Sequence, residues 1–212
     1  MNKYTEPRIA NSALITIDTQ NDFTLDDAPA RIAGTKEIIS NMVRLIEAYR
    51  RNGSLIIHVI RLYLADGSNV DLCRKQEIEE GKEIVAPDSE GAELVYALKP
   101  DTSVKINATE LLSGGLQKIG PNEYVIYKPR WGAFYGTCLE EFLKERELDT
   151  LVFSGCNYPN CPRTSIYEAS ERDFRVVLAK DAISKLYSKG EEEMANIDVG
   201  LLTTEEIESI LA

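Results

Sequence analysis

Leu151-Val152-Phe153-Ser154-Gly155-Cys156-Asn157-Tyr158-Pro159-Asn160-Cys161-Pro162-Arg163-Thr164 is the stretch on which the chain turns. Its apolar run stops at Ser154-Gly155 and gives way to a polar, proline-broken loop. Cys161 then stands directly before Pro162, where helical character begins. Proline suits the first turn of a helix, because its missing N–H would have had no partner there. Cys161 is therefore expected at or beside a helix N-cap, at the carboxyl end of a strand. In an open α/β sheet that edge is where ligands bind. The positive end of the helix dipole favours a thiolate, so Cys161 is a candidate nucleophile. A free cysteine is by default a small buried hydrophobe. The flanks Asn160, Pro162 and Arg163 argue against an apolar core slot here.

Working back towards the N-terminus, Ser12 to Asp18 (Ser-Ala-Leu-Ile-Thr-Ile-Asp) is a buried strand ending in a carboxylate, followed by the polar Thr19-Gln20-Asn21-Asp22-Phe23. Asp18 is a candidate site residue, whereas Asp22 and Asp26 suit turns. Apolar residues at Ile38, Ile39, Met42, Val43, Leu45, Ile46 and Tyr49 predict a one-sided helix over 35–52, with Thr35 able to cap it and Gly53 closing it. Leu55 to Leu62 is a second strand. This β–α–β order implies a right-handed parallel crossover. His58 lies mid-strand and reads as a packed residue. Arg61 and Tyr63 point to the same sheet edge as Asp18.

Residues 64–122 form the least regular part, with 92–98 a short helix. A long irregular insertion of this kind is expected to wall the site and carry specificity. Glu123 to Lys128 is a third strand ending in a charge. It leads into an aromatic, glycine-rich loop holding Trp131 and Phe134. An amphipathic helix over 137–146, a fourth strand over 149–154, a helix over 165–173 and a fifth strand over 175–180 follow. A short sixth strand over 198–202 and a final helix capped by Thr203 or Thr204 complete the chain. The expected fold is α/β, a three-layer α-β-α sandwich around a mostly parallel six-stranded sheet, with residues 1–212 as a single domain.

Composition narrows the function. The 212 residues are 43% hydrophobic and 28% charged, ordinary for a soluble globular protein. A net charge of −11 disfavours nucleic acid and anionic membranes as partners. It fits a protein handling small molecules, neutral or cationic ones in particular, although acidity that serves only solubility is the simpler account. Cys73, Cys138, Cys156 and Cys161 show no zinc-ligand spacing. No apolar leader or membrane span is visible, so a cytoplasmic protein with reduced thiols is expected. The single histidine, His58, rules out a His-rich metal site. Neither a metal nor another cofactor is expected.

Three parallel strands thus end in Asp18, Lys128 and the Cys161 loop, so these groups can converge on one edge. With His58 mid-strand, Asp18 is the available proton acceptor for a Cys161 thiol. Lys128 would offset its charge and lower the thiol pKa. Backbone N–H groups of the Cys161 loop could form an oxyanion hole. The implied chemistry is thiolate addition to an electrophilic carbon, a covalent acyl intermediate, then hydrolysis.

These residues carry a family resemblance. Ile17-Asp18-Thr19-Gln20-Asn21-Asp22-Phe23, Lys128 with Gly132-Ala133-Phe134, and 155–161 with Arg163 and Ala169 resemble the isochorismatase-like cysteine hydrolases over nearly the whole chain. That family includes nicotinamidases and N-carbamoylsarcosine amidase. The resemblance implies an Asp18/Lys128/Cys161 triad, a cis peptide at Cys156-Asn157, and an oxyanion hole from the N–H groups of Asn157 and Cys161. Phe23, Arg61, Trp131, Phe134 and Tyr158 are the expected substrate-binding residues. A homo-oligomer, dimer or tetramer, is implied by resemblance alone.

Departures from the family pattern narrow the expectation. Pro162 stands where many members have Val. The Asp/His metal site of nicotinamidases lacks its histidines here, which argues against nicotinamide as substrate. Cys161 points to C–N hydrolysis of a small amide, carbamoyl compound or lactam. The loop 159–164 resembles a subgroup that includes the lactam-opening streptothricin hydrolases. Two alternatives stand: vinyl-ether hydrolysis with Cys161 incidental, and a thiol redox or interaction protein using Cys156 and Cys161.

Overall fold

Every residue of the first strand is buried, and that strand is the middle of the sheet. The computed structural model describes residues 2–212. A 3-10 turn at Ile9–Asn11 leads into β1 (Ser12–Ile17), then α1 (Asn21–Thr24), α2 (Thr35–Asn52) and β2 (Leu55–Ile60). The insertion holds α3 (Leu72–Glu79), a 3-10 turn at Tyr96–Leu98, α4 (Ala108–Leu112) and β3 (Leu116–Gly120). The remainder runs β4 (Glu123–Tyr127), α5 (Leu139–Lys144), β5 (Thr150–Gly155), α6 (Cys161–Ser170), β6 (Arg175–Ile183), α7 (Ser188–Ala195), β7 (Gly200–Leu202) and α8 (Thr204–Leu211).

The strand order is β3-β4-β2-β1-β5-β6-β7, and all pairs are parallel except β3 with β4. From β1 the chain first builds outwards through β2 and β4, then returns to lay β5, β6 and β7 on the other side. The direction of winding reverses at β1, which opens a crevice at the carboxyl edge. The alternation of side chains along each strand feeds two helical layers. Ile15, Ile57, Phe153 and Leu178 pack with Leu139, Ile166, Ala169 and Met194 on one face. Leu14, Ile56, Val152 and Val177 pack with Met42, Leu45, Ile46, Tyr49 and Ile207 on the other. A further cluster, including Phe23, Ile60, Leu62, Ile78 and Leu111, lies under the insertion.

The sheet has seven strands, not six. The added strand, β3, is Leu-Gln-Lys-Ile-Gly, a half-buried antiparallel edge with a register shift between Lys118 and Gly120. Two apolar residues between Gly115 and Pro121 carry too little pattern to announce a strand. Residues 92–98 form no helix beyond the Tyr96–Leu98 turn, because Leu94 is drawn into a bridge with Gln20. The helix after the cysteine loop begins at Cys161 rather than residue 165, and β6 continues to Ile183. Helix α2 spans the expected residues and Gly53 follows it in the left-handed conformation. Its N-cap is Gly34, and Thr35 instead donates its hydroxyl to Ser184 Oγ at 3.1 Å. Thr203 caps α8 in a reciprocal capping box with Glu206.

His58 is fully buried in β2, 2.7 Å from Thr16 Oγ1 and 2.8 Å from Glu123 Oε1. It ties three strands together and faces no ligand site. Among the described residues, no helix is long and apolar enough to cross a membrane.

Candidate active site

Sheet hydrogen bonds run one residue past the strand ends and fix the site. Asp18 N–H donates to Val59 O (2.9 Å), Lys128 N–H to Ile60 O (3.0 Å) and Cys156 N–H to Ile17 O (2.9 Å). The ladder therefore sets the backbone from which the first two side chains project and from which the cysteine loop departs. Gly155 is required at the last ladder position of β5. Its φ is +112°, and a Cβ there would lie 2.3 Å from Ile17 O.

Lys128 Nζ donates to Asp18 Oδ2 at 2.8 Å. Lys128 is fully buried and Asp18 nearly so. The other carboxylate oxygen, Asp18 Oδ1, is buried without a hydrogen-bond partner. Cys161 is the first residue of α6, and Pro162 follows in the first turn. The N-cap, Asn160, makes no side-chain cap. The Cys156–Asn157 peptide bond is cis. Among the described residues, neither the Asn157 N–H nor the Cys161 N–H has a protein acceptor. Both backbone donors of the cysteine loop are thus unclaimed.

The thiol is not the lowered one expected from the helix dipole and Lys128. Burial first, and the Asp18 carboxylate second, push Cys161 up to about 11, outweighing Lys128 and Arg61. At neutral pH the thiol keeps its proton, and Asp18 Oδ1 is free to accept it. Cys156 is also buried and protonated, raised by burial and by Asp18, and its Sγ–H donates to Asp18 O at 3.6 Å. All four cysteines are free.

A cleft of about 20 Å³, room for one water, opens beside Asp18, Cys156 and Asn157, with Cys161 and Lys128 behind its lining. Asp18, Phe23, Arg61, Trp131 and Asn157 line it, together with Ile32, Tyr63, Arg74, Cys156 and Asn160. Arg61 is 2% exposed. Its guanidinium sits over Trp131 (5.4 Å) and Tyr63 (5.8 Å), and Nη2 lies 4.0 Å from Cys161 Sγ. Asp71 holds it, with Oδ2 3.0 Å from Nη1. Burial works against that charge, but Asp18, Tyr63, Cys161 and Asp71 together raise its pKa.

Phe134 and Tyr158, expected at the substrate, are core residues instead. Phe134 packs on Phe174 at 5.8 Å, and Tyr158 is fully buried with its hydroxyl donating to Gly190 O. Aromatic loop residues beside a nucleophile read alike in sequence whichever way they turn. Arg74 lines the cleft although it lies inside a charged Lys/Glu-rich run, 74–83, whose pattern in sequence is that of a solvated face. Of the insertion, Asp71 pairs with Arg61 and Arg74 lines the cleft.

The chain matches the Isochorismatase domain family over residues 12–114 and 107–205. It is 32% identical to a protein of Arabidopsis thaliana named a probable inactive nicotinamidase, covering 97% of this chain and 98% of the relative. It is 26% identical to the N-carbamoylsarcosine amidase of an Arthrobacter species, over 81% of this chain and 58% of that protein. The crystal structure of an isochorismatase family protein from Desulfovibrio vulgaris superposes with a TM-score of 0.80 at 30% identity, covering 95% of this chain and 98% of the other. Fold, domain match and end-to-end similarity agree: the chain belongs to the isochorismatase family.

Proposed function

We propose that the protein is a cysteine amidohydrolase that cleaves a C–N bond of a small amide, carbamoyl compound or lactam. The observation that carries this is the buried meeting of Asp18, Lys128 and the Cys161 loop at one sheet edge, with the N–H groups of Asn157 and Cys161 in that loop unclaimed. Similarity to an N-carbamoylsarcosine amidase supports the reaction class. The relative named probable inactive nicotinamidase, together with a sole histidine locked inside the sheet, favours a substrate other than nicotinamide.

In the proposed cycle, Cys161 gives its proton to Asp18 Oδ1 as Sγ attacks the carbonyl carbon. Negative charge moves to the carbonyl oxygen, which the N–H groups of Asn157 and Cys161 receive. Lys128 holds Asp18 in place and balances its charge. The C–N bond then breaks, and the leaving nitrogen takes the proton from Asp18. A thioester remains. Water attacks it while Asp18 accepts a proton, the C–S bond breaks, and Asp18 returns that proton to sulfur. The raised thiol pKa fits this order, because proton and nucleophile move together rather than from a standing thiolate.

The test is ammonia release from a panel of small amides and carbamoyl compounds, with mass gain of one water as the readout for lactams. Wild type should turn over at least one compound and Cys161→Ala none. Equal turnover by Cys161→Ala would remove the thiol from the reaction.

A further inference from the structure

Cys161 Sγ has a cation beside it that the proposed cycle does not use. Arg61 Nη2 lies 4.0 Å from the sulfur, within reach of a hydrogen bond to it. Lys128 Nζ instead donates to Asp18 Oδ2 at 2.8 Å and to Arg130 O at 3.5 Å. Arg61 is tied down at both ends. Its backbone N–H donates to Gln20 Oε1 and its carbonyl accepts from Gln20 Nε2, both at 2.8 Å, so the residue two positions after Asp18 fixes the end of β2. At the guanidinium, Asp71 Oδ2 lies 3.0 Å from Nη1, and Tyr63 donates its hydroxyl to that same oxygen at 2.9 Å. The Trp131 ring, 5.4 Å away, gives the guanidinium a face to rest on. An arginine keeps its charge even this deep in a protein.

We propose that Arg61 is a further catalytic residue: it holds the negative charge that sulfur carries, as Lys128 holds the charge of Asp18. Asp71, Tyr63 and Gln20 position it. The proposal rests on amide hydrolysis at Cys161. When the S–H proton passes to Asp18 Oδ1, negative charge leaves the carboxylate beside Lys128 and appears on Sγ beside Arg61. The electron pair on sulfur then forms the S–C bond. When the thioester is hydrolysed, the C–S bond breaks and the pair returns to sulfur. The charge again sits beside Arg61 until Asp18 gives the proton back. The buried charges at this edge stay balanced throughout. Asp18 and Asp71 face Lys128 and Arg61 at the start, and sulfur takes the place of Asp18 after the transfer. A charge already fixed in a buried site stabilises a charge that moves towards it without first reorganising. Arg61 and Lys128 also oppose burial and Asp18 in setting the thiol pKa.

Iodoacetamide is uncharged, so its rate at Cys161, followed by peptide mass mapping, reads the sulfur and not an attraction of the reagent to arginine. At about pH 8, Arg61→Gln should alkylate about fourfold more slowly than wild type. Its thiol midpoint rises by about one pH unit, and the more basic thiolate regains part of the rate. Asp71→Asn leaves Arg61 charged and removes its counter-ion, so it should alkylate faster than wild type. Arg61→Lys keeps the charge and should fall between wild type and Arg61→Gln. A general loosening of the fold would speed all three. With an uncharged amide that wild type turns over, such as propionamide, Arg61→Gln should lose about 30-fold in kcat and keep KM within about twofold. Unchanged or faster alkylation of folded Arg61→Gln, or a loss confined to KM, overturns the assignment. Where Arg61→Gln does not fold, Asp71→Asn decides, and an unchanged or slower rate there overturns it. The expected alkylation pattern with no hydrolysis of any amide by wild type keeps the pairing of Arg61 with sulfur and overturns the amidase proposal.

Discussion

Lys128 Nζ and Asp18 Oδ2 meet at 2.8 Å, with side-chain exposures of 0% and 6%. An ion pair this deep is held by mutual need: each charge is costly alone in the interior. Lys128→Met is expected to cost about 3–5 kcal/mol, because it strands the carboxylate. Adding Asp18→Asn to it should restore part of that loss. Urea unfolding of both single variants and the double variant checks the coupling, and strictly additive losses would deny it.

His58 makes a complementary case. Its Nε2–H donates to Glu123, whose carboxyl is held low by hydrogen bonds from Arg50 and His58 against the opposing effect of burial. His58→Gln should lower stability by about 1–3 kcal/mol and leave turnover unchanged. Loss of turnover in a folded His58→Gln protein would restore a Cys-His mechanism.

The Cys161 thiol gives a pH signature. With its pKa up at about 11, alkylation by iodoacetamide should be slow at neutral pH and climb about tenfold per pH unit towards that value. Asp18→Asn should move the midpoint down, since Asp18 is the second cause of the elevation. Peptide mass mapping separates Cys161 from the exposed Cys73. The linked stability effect has a definite sign. The folded thiol keeps a proton that an unfolded thiol releases near 9.0. This contribution is therefore complete below pH 9 and is lost as pH rises from there towards 11.

Gly155 and Gly53 both have positive φ but different surroundings. At Gly155 a Cβ would meet Ile17 O at 2.3 Å, and at Gly53 nothing lies within 4 Å. Gly53→Ala should cost about 1 kcal/mol for backbone strain alone. Gly155→Ala should cost at least about 3 kcal/mol or fail to fold, because the obstacle is backbone in the central strand. Thermal melts of the two variants compare them directly.

Much of this was legible in the sequence because local pattern and tertiary role coincide. Helix α2 has seven apolar residues on one stripe and a glycine at its end, so its limits could be read to the residue. Asp18 and Lys128 each follow an apolar run, and Cys161 precedes a proline, so the sheet topology alone brings them together. Strand β3 was not legible, because an exposed edge asks little of its side chains. Phe134 and Tyr158 turn away from the cleft for a different reason: which way a loop side chain turns depends on partners far away in the chain. The thiol pKa went the wrong way because the helix end is visible in sequence, whereas deep burial beside Asp18 is not.

The position of β1 has a consequence for synthesis. It is the second element of the chain to appear and the central strand of the sheet, yet one of its neighbours, β5, is paired as Ser12 with Thr150 and Ile17 with Gly155. While the ribosome makes the intervening residues, one edge of a strand that is wholly buried in the finished fold stays open, with β2 and β4 already able to dock on the other side. A nascent chain stopped before residue 150 is thus a half-sheet with a bare edge, the kind of species that self-associates. The same pairing times the chemistry, for the cysteine loop leaves β5 directly, and the nucleophile arrives together with the strand that closes the gap.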